Sequence, residues 1–366
     1  MKKYILILFA CLISIPSYGI VKQKVTVSNS SSTALTNFQV KLTLDGTATS
    51  FWANVKSDGG DIRFKDLNNS DLQYWVESFD YAGKTAVIWF KMISIPASGS
   101  VAAYLSYGES SLTSISDVNS VFDFYDNFSS DLSKWTVKHF DSTGTAEITN
   151  GWARINGSGS GDYWSTADGA SGIFCNTPVS DNYLVETYFR QESYAAASAT
   201  NRFLMSRTDA NTTNSAFYGL VFDGDSSHIT DIWRDTSGGT AAWSGDNTNW
   251  NRGANTVFYA KMTKEGTSFK FYLSADGSAW SSAITRSGSY HGYIGLTDSI
   301  PSGYTEFDWI RIRKYSSPEP SCTLGEIMSY EVSGYILRED NIGLEGVTVI
   351  LTDVQTSSTS YTCVTT

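Results

Sequence analysis

Residues 38–44 have the sequence FQVKLTL, and residues 86–92 have the sequence AVIWFKM. Both are short runs of β-branched and aromatic residues with the two-residue periodicity of β-strands. Turn-forming residues follow such runs, as in Asp45-Gly46 and Ala82-Gly83-Lys84. The chain has no long stretch with helical periodicity, and its 14% aromatic residues and 30 glycines suit sheets with closely spaced turns. We therefore predict an all-β protein with β-sandwich and jelly-roll domains in tandem.

Residues 1–19 have the organisation of a signal peptide. Lys2 and Lys3 precede an apolar stretch, and Ser17 and Gly19 place small residues at positions −3 and −1 of a cleavage site. A lipid-anchored Cys11 is the alternative, and the bulky residue two positions before it argues against that interpretation. No later stretch has the apolar length of a membrane helix. We expect a secreted protein, extracellular or at the cell surface, with no transmembrane segment after cleavage.

Charge and cysteine content exclude several classes of protein. The chain carries 26 basic and 37 acidic residues without a basic stripe, so nucleic acid and anionic membranes are poor partners. Cleavage would leave Cys175, Cys322 and Cys363, too few for a disulfide scaffold. Cys322 and Cys363 flank one segment, and the sequence leaves open whether they pair. Cys175 is then expected to be an unpaired, buried thiol.

A first unit spans residues 20–118 and carries a series of short motifs. They are KSDGGDIRF at 56–64, YWVESFD at 74–80, AVIWFK at 86–91, the corner IPA at 95–97 and YLSYG at 104–108. In that order and spacing they resemble the domain of unknown function 2341, a β-rich module of secreted bacterial and archaeal proteins. The resemblance implies a β-sandwich. It implies no activity, because none is established for that family.

A second unit spans residues 119–315, and its two ends are the most informative parts. It opens with FDFYDNF at 122–128 and LSKW at 132–135, and closes with HGYIGL at 291–296 and FDWIRIRKY at 307–315. These ends resemble concanavalin A-like or laminin-G-like jelly rolls, in which the first and last strands pair near one edge. The resemblance implies strands between the ends, expected at 182–190, 217–222, 229–234, 257–263 and 268–274.

The C-terminal part is predicted to contain a linker and an incomplete domain. Residues 316–328 begin with SSPEPS, whose two prolines favour an extended backbone outside a sheet. Residues 330–337 and 342–352 then resemble carboxypeptidase-regulatory-like domains, which are small prealbumin-like β-sandwiches. The pattern stops after three or four strands where a sandwich needs about seven. We therefore expect residues 329–366 to form a partial domain.

No catalytic pattern emerges from the sequence. Catalytic jelly rolls that hydrolyse glycosides need two inward-facing carboxylates, in one family supplied by a Glu-x-Asp-x-x-Glu strand, which is absent here. His139, His228 and His291 lack the spacing of metal ligands or of a catalytic base. Residues 274–280, SADGSAW, resemble a sialidase Asp box with one residue missing, which is a structural hairpin turn. We predict that the protein is not an enzyme.

Calcium is the one cofactor that the sequence leaves open. Asp126 and Asn127 lie at the first predicted strand of the second unit, and Asp308 lies near the start of its last strand. Carboxylate and carbonyl oxygens are the ligands that calcium prefers, so these three residues are candidate ligands of a structural ion. The alternative is that their oxygens accept hydrogen bonds from turn amides.

A tryptophan-rich segment is the candidate ligand site. Trp233, Trp243 and Trp250 occur near Asp246 and Asn247, together with several glycines. Sugars stack on aromatic rings and exchange hydrogen bonds with planar polar side chains, whereas packing in the core is the alternative role for these rings. The sequence thus predicts a non-catalytic recognition or adhesion protein that binds glycans or a cell-surface partner through the jelly roll. A structural spacer of an adhesin or surface layer, and the ancillary region of a larger glycan-degrading enzyme, are the alternatives.

Overall fold

The computed structural model describes most of the first two predicted units and parts of the third. The described residues are 20–139, 144–157, 171–179, 181–192, 201–207, 217–222, 228–234, 242–243, 248–249, 256–288, 292–298, 303–328, 348–352 and 360–364. The predicted signal peptide lies outside these residues. Within them, no helix is both long and apolar enough to cross a membrane.

The described elements are almost all strands. The two short helices are α1 (Thr49–Asn54) and α2 (Val118–Val121). The strands are β1 (Val21–Asn29), β2 (Leu35–Leu44), β3 (Arg63–Lys65), β4 (Asp71–Leu72), β5 (Tyr74–Asp80), β6 (Thr85–Ile95), β7 (Gly99–Tyr107), β8 (Phe124–Asp126), β9 (Trp135–His139), β10 (Thr145–Thr149), β11 (Trp152–Asn156), β12 (Ser171–Cys175), β13 (Tyr183–Gln191), β14 (Asn201–Arg207), β15 (Phe217–Phe222), β16 (His228–Arg234), β17 (Ala242–Trp243), β18 (Thr248–Asn249), β19 (Val257–Glu265), β20 (Ser268–Ser274), β21 (Ile284–Ser287), β22 (Tyr293–Asp298), β23 (Thr305–Lys314), β24 (Ser321–Ile327), β25 (Thr348–Thr352) and β26 (Ser360–Val364). The predicted all-β fold class is confirmed.

The first sandwich packs a five-stranded sheet against a three-stranded sheet. Their strand orders are β24-β1-β7-β3-β4 and β2-β6-β5. Residues 38–44 and 86–92 lie in β2 and β6, which pair directly, with Leu42 opposite Ile88. Alternate side chains of these strands point into one core, where the rings of Phe64 and Phe90 stack at 4.6 Å. Burial of these apolar faces is what drives the two sheets together.

The second sandwich packs two larger sheets around a second core. One sheet has the order β10-β11-β23-β13-β19-β20-β21, with β8 paired to β23, and the other has the order β17-β16-β15-β14-β22-β12-β9, with β18 paired to β16. The first and last strands of the unit therefore pair, as predicted, with Asp126 opposite Ile310. The rings of Phe189 and Phe307 stack at 5.9 Å inside the core. The specific concanavalin A-like assignment stays a prediction.

The predicted linker at 316–328 is wrong for most of its length. Residues Ser321–Ile327 form β24, which pairs with β1 at the edge of the first sandwich. Cys322 lies opposite Val27, and Leu324 lies opposite Val25, so the strand adds apolar side chains to the first core. Two prolines do favour an extended backbone, but an extended backbone can also lead into an edge strand. The chain thus returns to its first domain after completing the second.

The short connection before β24 is also held in place. The Ser317 amide donates to Glu265 Oε1 at 2.8 Å. Arg313 donates through both terminal nitrogens to the Glu319 carboxylate, at 2.6 and 3.0 Å. Paired guanidinium and carboxylate groups in this geometry are among the stronger surface contacts. The connection is therefore fixed on the second sandwich while β24 is fixed on the first.

Limited proteolysis tests this correction. We expect a non-specific protease to spare residues 316–328 in the native protein, because cleavage requires local opening of a strand and of the Arg313–Glu319 pair. Glu319→Ala removes that pair and should make the same segment susceptible sooner. Mass spectrometry of the first fragments identifies the cut sites. Early cleavage between residues 316 and 328 in the unmodified chain would show that this segment is a linker, as the sequence predicted.

Both described cysteine side chains are free thiols. Cys175 is buried, where its Sγ donates to Thr177 O and accepts from the Ile294 amide, each at 3.1 Å, which confirms the predicted unpaired thiol. Cys322 is half-buried against the first core and carries no disulfide. Burial raises the pKa of Cys175 to about 11 and that of Cys322 to about 12, so neither forms a reactive thiolate at neutral pH.

The C-terminal segment is described only in part. Strands β25 and β26 pair antiparallel, with Ile350 opposite Thr362. The predicted partial carboxypeptidase-regulatory-like domain at 329–366 otherwise lies outside the described residues, and the assignment stays a prediction.

Candidate functional site

The two sandwiches meet over a small apolar cluster. Trp89 of β6 and Phe122, which follows α2, are buried there with their ring centroids 5.3 Å apart. Trp75 of β5 packs on the same Phe122 ring at 5.6 Å. Period-two alternation in β5 and β6 places these tryptophans on the face opposite the first core. One face of the β2-β6-β5 sheet thus packs on the first core. Aromatic side chains on its other face contact the second sandwich.

Arg311 forms ion pairs with carboxylates of both sandwiches. Its guanidinium contacts Glu77 Oε1 of the first sandwich at 2.5 Å and Glu186 Oε2 of the second at 2.7 Å. Glu77 Oε2 also accepts a hydrogen bond from Trp89 Nε1 at 2.7 Å. Arg311 is only 8% exposed, so these ion pairs lie in a weakly solvated environment. Burial by itself would raise the pKa of Glu186, but Arg311 and Arg313 outweigh it and hold that pKa below its usual value.

An open groove of about 430 Å³ lies beside this junction. We call it the interdomain groove, because residues of both sandwiches line it. They are Lys41, Trp75, Glu77, Tyr125, Glu186, Tyr259, Asp276, Gly277, Trp280, Trp309 and Arg311. Aromatic rings and charged groups thus share one concave surface, which is the usual composition of a ligand site with a few oriented polar groups.

A β-bulge places Trp309 in the groove. Tyr188 lies opposite Trp309, but the next residue, Phe189, lies opposite Phe307, so β23 has an extra residue at Asp308. Phe307 and Ile310 are fully buried in the core, and the two residues between them are half-buried on the outer face. A regular strand would send one of those two inward, so the bulge is what gives the outer face both Asp308 and Trp309.

The hairpin between β20 and β21 places Trp280 at the rim. Asp276 Oδ1 accepts hydrogen bonds from the amides of Ser278 and Ala279, at 2.8 and 2.9 Å, and these bonds lower the pKa of Asp276. Gly277 has a φ of +75°, and a Cβ there would lie 3.3 Å from the Tyr259 ring. The predicted structural turn is therefore confirmed. The ring of Trp280 is half-buried, with Lys261 Nζ 3.9 Å from its centroid.

The same outer face continues beyond the groove. The ring centroids of Tyr188 and Tyr259 lie 4.6 Å apart, and that of Trp152 on β11 lies 5.9 Å from Tyr188. Next to Trp152, the buried Glu306 carboxylate binds Arg154 at 2.8 Å and Arg190 at 2.6 Å. Aromatic rings therefore extend across four strands of this sheet.

The structure places only part of the tryptophan-rich segment. Trp233 in β16 and Trp243 in β17 lie on adjacent paired strands, with Ile232 opposite Trp243 and Trp233 opposite Ala242. Their side chains, and all of Asp246, Asn247 and Trp250, lie outside the described residues. This candidate sugar site stays a prediction.

Of the three candidate calcium ligands, Asp126 lies on β8, Asn127 follows that strand, and Asp308 lies on the paired strand β23. Asp126 is buried, with Oδ2 accepting from Trp135 Nε1 at 2.7 Å and Oδ1 from the Phe128 amide at 3.1 Å. Asn127 Oδ1 accepts from the Ser129 amide at 3.4 Å. The described residues include no cluster of three His, Cys, Asp or Glu side chains that could hold a metal. Both oxygens of Asp126 thus have protein donors, and the calcium ion stays a prediction.

The groove-lining tryptophans were not predicted as a site. Trp75 and Trp309 lie in the motifs that carry the domain resemblances, and Trp280 lies in the predicted structural turn. A sequence signal was present for Trp75, because it alternates along β5 with Tyr74 and Val76, which pack in the first core. None was available for Trp309, because the bulge interrupts the alternation.

Comparisons with known proteins give one family match and several distant structural likenesses. Residues 58–138 match the family described as Domain of unknown function (DUF2341). The match thus supports the predicted resemblance and extends beyond its expected end at 118, through β8 and into β9. It includes the first-sandwich residues Trp75 and Glu77 and the interface residue Tyr125. No curated protein matches the chain.

Solved structures resemble the chain only distantly. The carbohydrate binding module CBM66 from Bacillus subtilis is 16% identical with a TM-score of 0.36, covering 50% of this chain and 96% of that one. The GH43 protein BlXynB from Bacillus licheniformis is 14% identical with a TM-score of 0.41, covering 69% of this chain and 53% of that one. The exoplasmic domain of VIP36 in its Ca²⁺-bound form is 10% identical with a TM-score of 0.37, covering 50% and 84%.

Proposed function

We propose that this chain is a secreted, non-catalytic recognition protein that binds a glycan in the interdomain groove. The observation that carries the proposal is the joint lining of one groove by Trp75 of the first sandwich and by Trp280, Trp309 and Tyr259 of the second. Aromatic faces stack on the C–H faces of sugar rings, and such rings contribute strongly when they are already held rigidly. The bulge at Trp309 and the hairpin at Trp280 hold two of these rings in place.

Polar groups in the groove suit sugar hydroxyls. Glu77, Glu186 and Asp276 line it and can accept hydrogen bonds, while Lys41 can donate them. Because Glu77 and Glu186 are both held by Arg311, their positions are fixed before a ligand arrives. Because these acceptors and rings are already held in place, binding a ligand costs less conformational entropy.

The same contacts favour binding over hydrolysis. Glycoside hydrolysis requires one carboxyl group to be protonated at working pH, which means a raised pKa. The pKa of Glu186 is lowered, because nearby guanidinium groups stabilise its charge. Glu77 also contacts the Arg311 guanidinium. In this groove the charge of Glu186 is stabilised by nearby guanidinium groups and that of Asp276 by turn amides, which favours orienting a sugar over protonating its glycosidic oxygen.

Replacing Trp280 by alanine tests the proposal. Affinity electrophoresis in gels containing soluble polysaccharides would first identify a polysaccharide that retards the unmodified protein. We expect Trp280→Ala to weaken that retention about 30-fold or more, since truncating an aromatic ring that stacks on a ligand typically costs about 2 kcal/mol. The melting temperature should change little, because the ring is only half-buried.

A matched control separates the site from general aromatic content. Tyr104 is half-buried on β7, outside the groove, and Tyr104→Ala should leave retention unchanged. Unchanged retention of Trp280→Ala would contradict the groove. Loss of retention in Trp243→Ala alone would place the site in the tryptophan-rich segment instead. A protein that no gel retards would favour the structural spacer.

A further inference from the structure

We infer that the binding site extends from the interdomain groove along the outer face of the second sandwich and takes an extended, neutral polysaccharide chain. This inference rests on the proposed glycan binding and adds the size and charge class of the ligand. We call the rings concerned the aromatic row, which consists of Trp152, Tyr188, Tyr259 and Trp309.

The aromatic row crosses four adjacent strands. Trp152, Trp309, Tyr188 and Tyr259 lie on β11, β23, β13 and β19, which are neighbours in that order. Tyr188 is the direct cross-strand partner of both Trp309 and Tyr259. Three interstrand spacings of about 4.8 Å make the row about 14 Å long, which exceeds the length of one sugar ring. The row therefore has room for several consecutive sugars.

Each ring of the row keeps part of its surface accessible. All four residues are half-buried, whereas their strand neighbours Phe189, Phe258 and Ile310 are buried in the core. The rings also contact one another, with Tyr259 lying 6.3 Å from Trp309 and 4.6 Å from Tyr188 between centroids. Mutual contact of this kind limits their motion. A continuous and ordered set of rings is better suited to an extended chain than to a single sugar.

The charges along this face oppose an anionic ligand. In the described part of the chain, each arginine beside the row contacts a carboxylate, and Arg154 and Arg190 share one. Glu306 binds Arg154 and Arg190, while Glu77 and Glu186 bind Arg311. The groove itself holds three carboxylates against two cationic side chains.

An anionic sugar would therefore have to displace an existing ion pair or approach excess negative charge. A neutral chain requires neither. The net charge of −11 over the whole chain acts in the same direction at long range.

Both sandwiches contribute to this extended site. Trp75 and Glu77 close the groove at one end of the face, and Trp152 lies at the other end of the row. Because the first sandwich is held by Arg311 and by β24, the end of the site that it forms is fixed relative to the row. The ligand would run from the junction of the two sandwiches outward across the strands.

Affinity for oligosaccharides of different length tests the inference. Gels would contain mixed-linkage β-glucan, glucomannan or arabinoxylan as neutral chains, and polygalacturonate or alginate as anionic chains. Calorimetry would then use a disaccharide and a hexasaccharide prepared from the polysaccharide that retards the protein most. We expect retention by a neutral chain, and about tenfold weaker hexasaccharide binding in Trp152→Ala with disaccharide binding unchanged. Trp280→Ala should weaken both.

The outcomes distinguish this inference from the proposed function. Retention by anionic chains alone, or equal hexasaccharide affinity in Trp152→Ala and the unmodified protein, would overturn the extended neutral site while leaving glycan binding intact. No retention by any chain would overturn both. If Trp152→Ala fails to fold, Tyr188→Phe and Tyr188→Ala replace it, because the first keeps the ring of the row and the second removes it. Equal hexasaccharide affinity in these two variants would also overturn the inference.

Discussion

Replacing Arg311 by methionine is expected to lower the free energy of unfolding by about 3–5 kcal/mol. Methionine keeps most of the length and apolar volume of the arginine stem but removes the guanidinium. Glu186 would then be left in a weakly solvated environment without its nearest cation, and Glu77 would lose its contact across the domain junction. Leaving a buried charge without its partner is far more costly than losing an exposed ion pair.

Chemical denaturation followed by tryptophan fluorescence measures this loss. Lys41→Met is the matched control, since Lys41 lines the same groove but is exposed, and its replacement should change stability by less than about 0.5 kcal/mol. The double variant Arg311→Met with Glu186→Gln should recover part of the loss, because the uncompensated charge is gone. A loss below about 1 kcal/mol in Arg311→Met would show that the junction is not held as described.

The Arg311 effect should also depend on pH. The pKa of Glu186 is lowered in the folded protein from its usual 4.5, so its ion pair contributes fully above that value and is lost as pH falls through the folded-state pKa. The stability difference between the unmodified protein and Arg311→Met should therefore shrink as the pH is lowered from 7 toward 3. A difference that stays constant over this range would exclude Glu186 as the partner that matters.

Replacing Phe90 by alanine is the second large expected effect. Phe90 is fully buried in the first core, where its ring stacks on Phe64 at 4.6 Å with the ring planes 11° apart. Truncation leaves a cavity bordered by two sheets and should lower the free energy of unfolding by about 3–5 kcal/mol. Because Trp89 beside it belongs to the junction, we expect weakened glycan retention at temperatures where the first sandwich begins to unfold.

Tyr104→Ala is the control for this truncation as well. Tyr104 lies on β7 of the same sandwich and is half-buried, so its removal opens no enclosed cavity and should cost clearly less than Phe90→Ala. Equal losses for the two variants would mean that the stacked pair does not lie in a closely packed core. The same denaturation experiment provides both values.

The fold class could be predicted from sequence because strand periodicity is a local property. The alternation in residues 38–44 and 86–92 reports directly which side chains face the core. The prediction of a linker where β24 lies was wrong because the pairing of this strand is not a local property. Its partner β1 lies almost 300 residues earlier in the chain. Local proline content at Pro318 and Pro320 gave no information on that pairing. A strand that completes a distant sheet is visible only once the sheet itself is known.

The interdomain groove could not be predicted from the sequence either, because its residues are far apart in the chain. Sequence patterns bring to notice tryptophans that are close together in the chain, such as Trp243 and Trp250. In the structure, Trp75, Trp280 and Trp309 come from three separate segments and meet because β5, a hairpin and a bulged strand border the same groove. Alternation in β23 predicts that one of Asp308 and Trp309 faces inward. Because of the bulge, both residues lie on the outer face. The residue types alone do not predict the bulge.

Hydroxyl-radical footprinting tests the central claim most directly, because it reports which side chains a bound chain covers. The protein would be oxidised with and without the neutral polysaccharide that retards it in gels, and peptides would be quantified by mass spectrometry. We predict protection of Trp75, Trp280 and Trp309, with no change at Tyr104. Unchanged oxidation of those three tryptophans, or protection confined to residues 233–250, would contradict glycan binding in the interdomain groove.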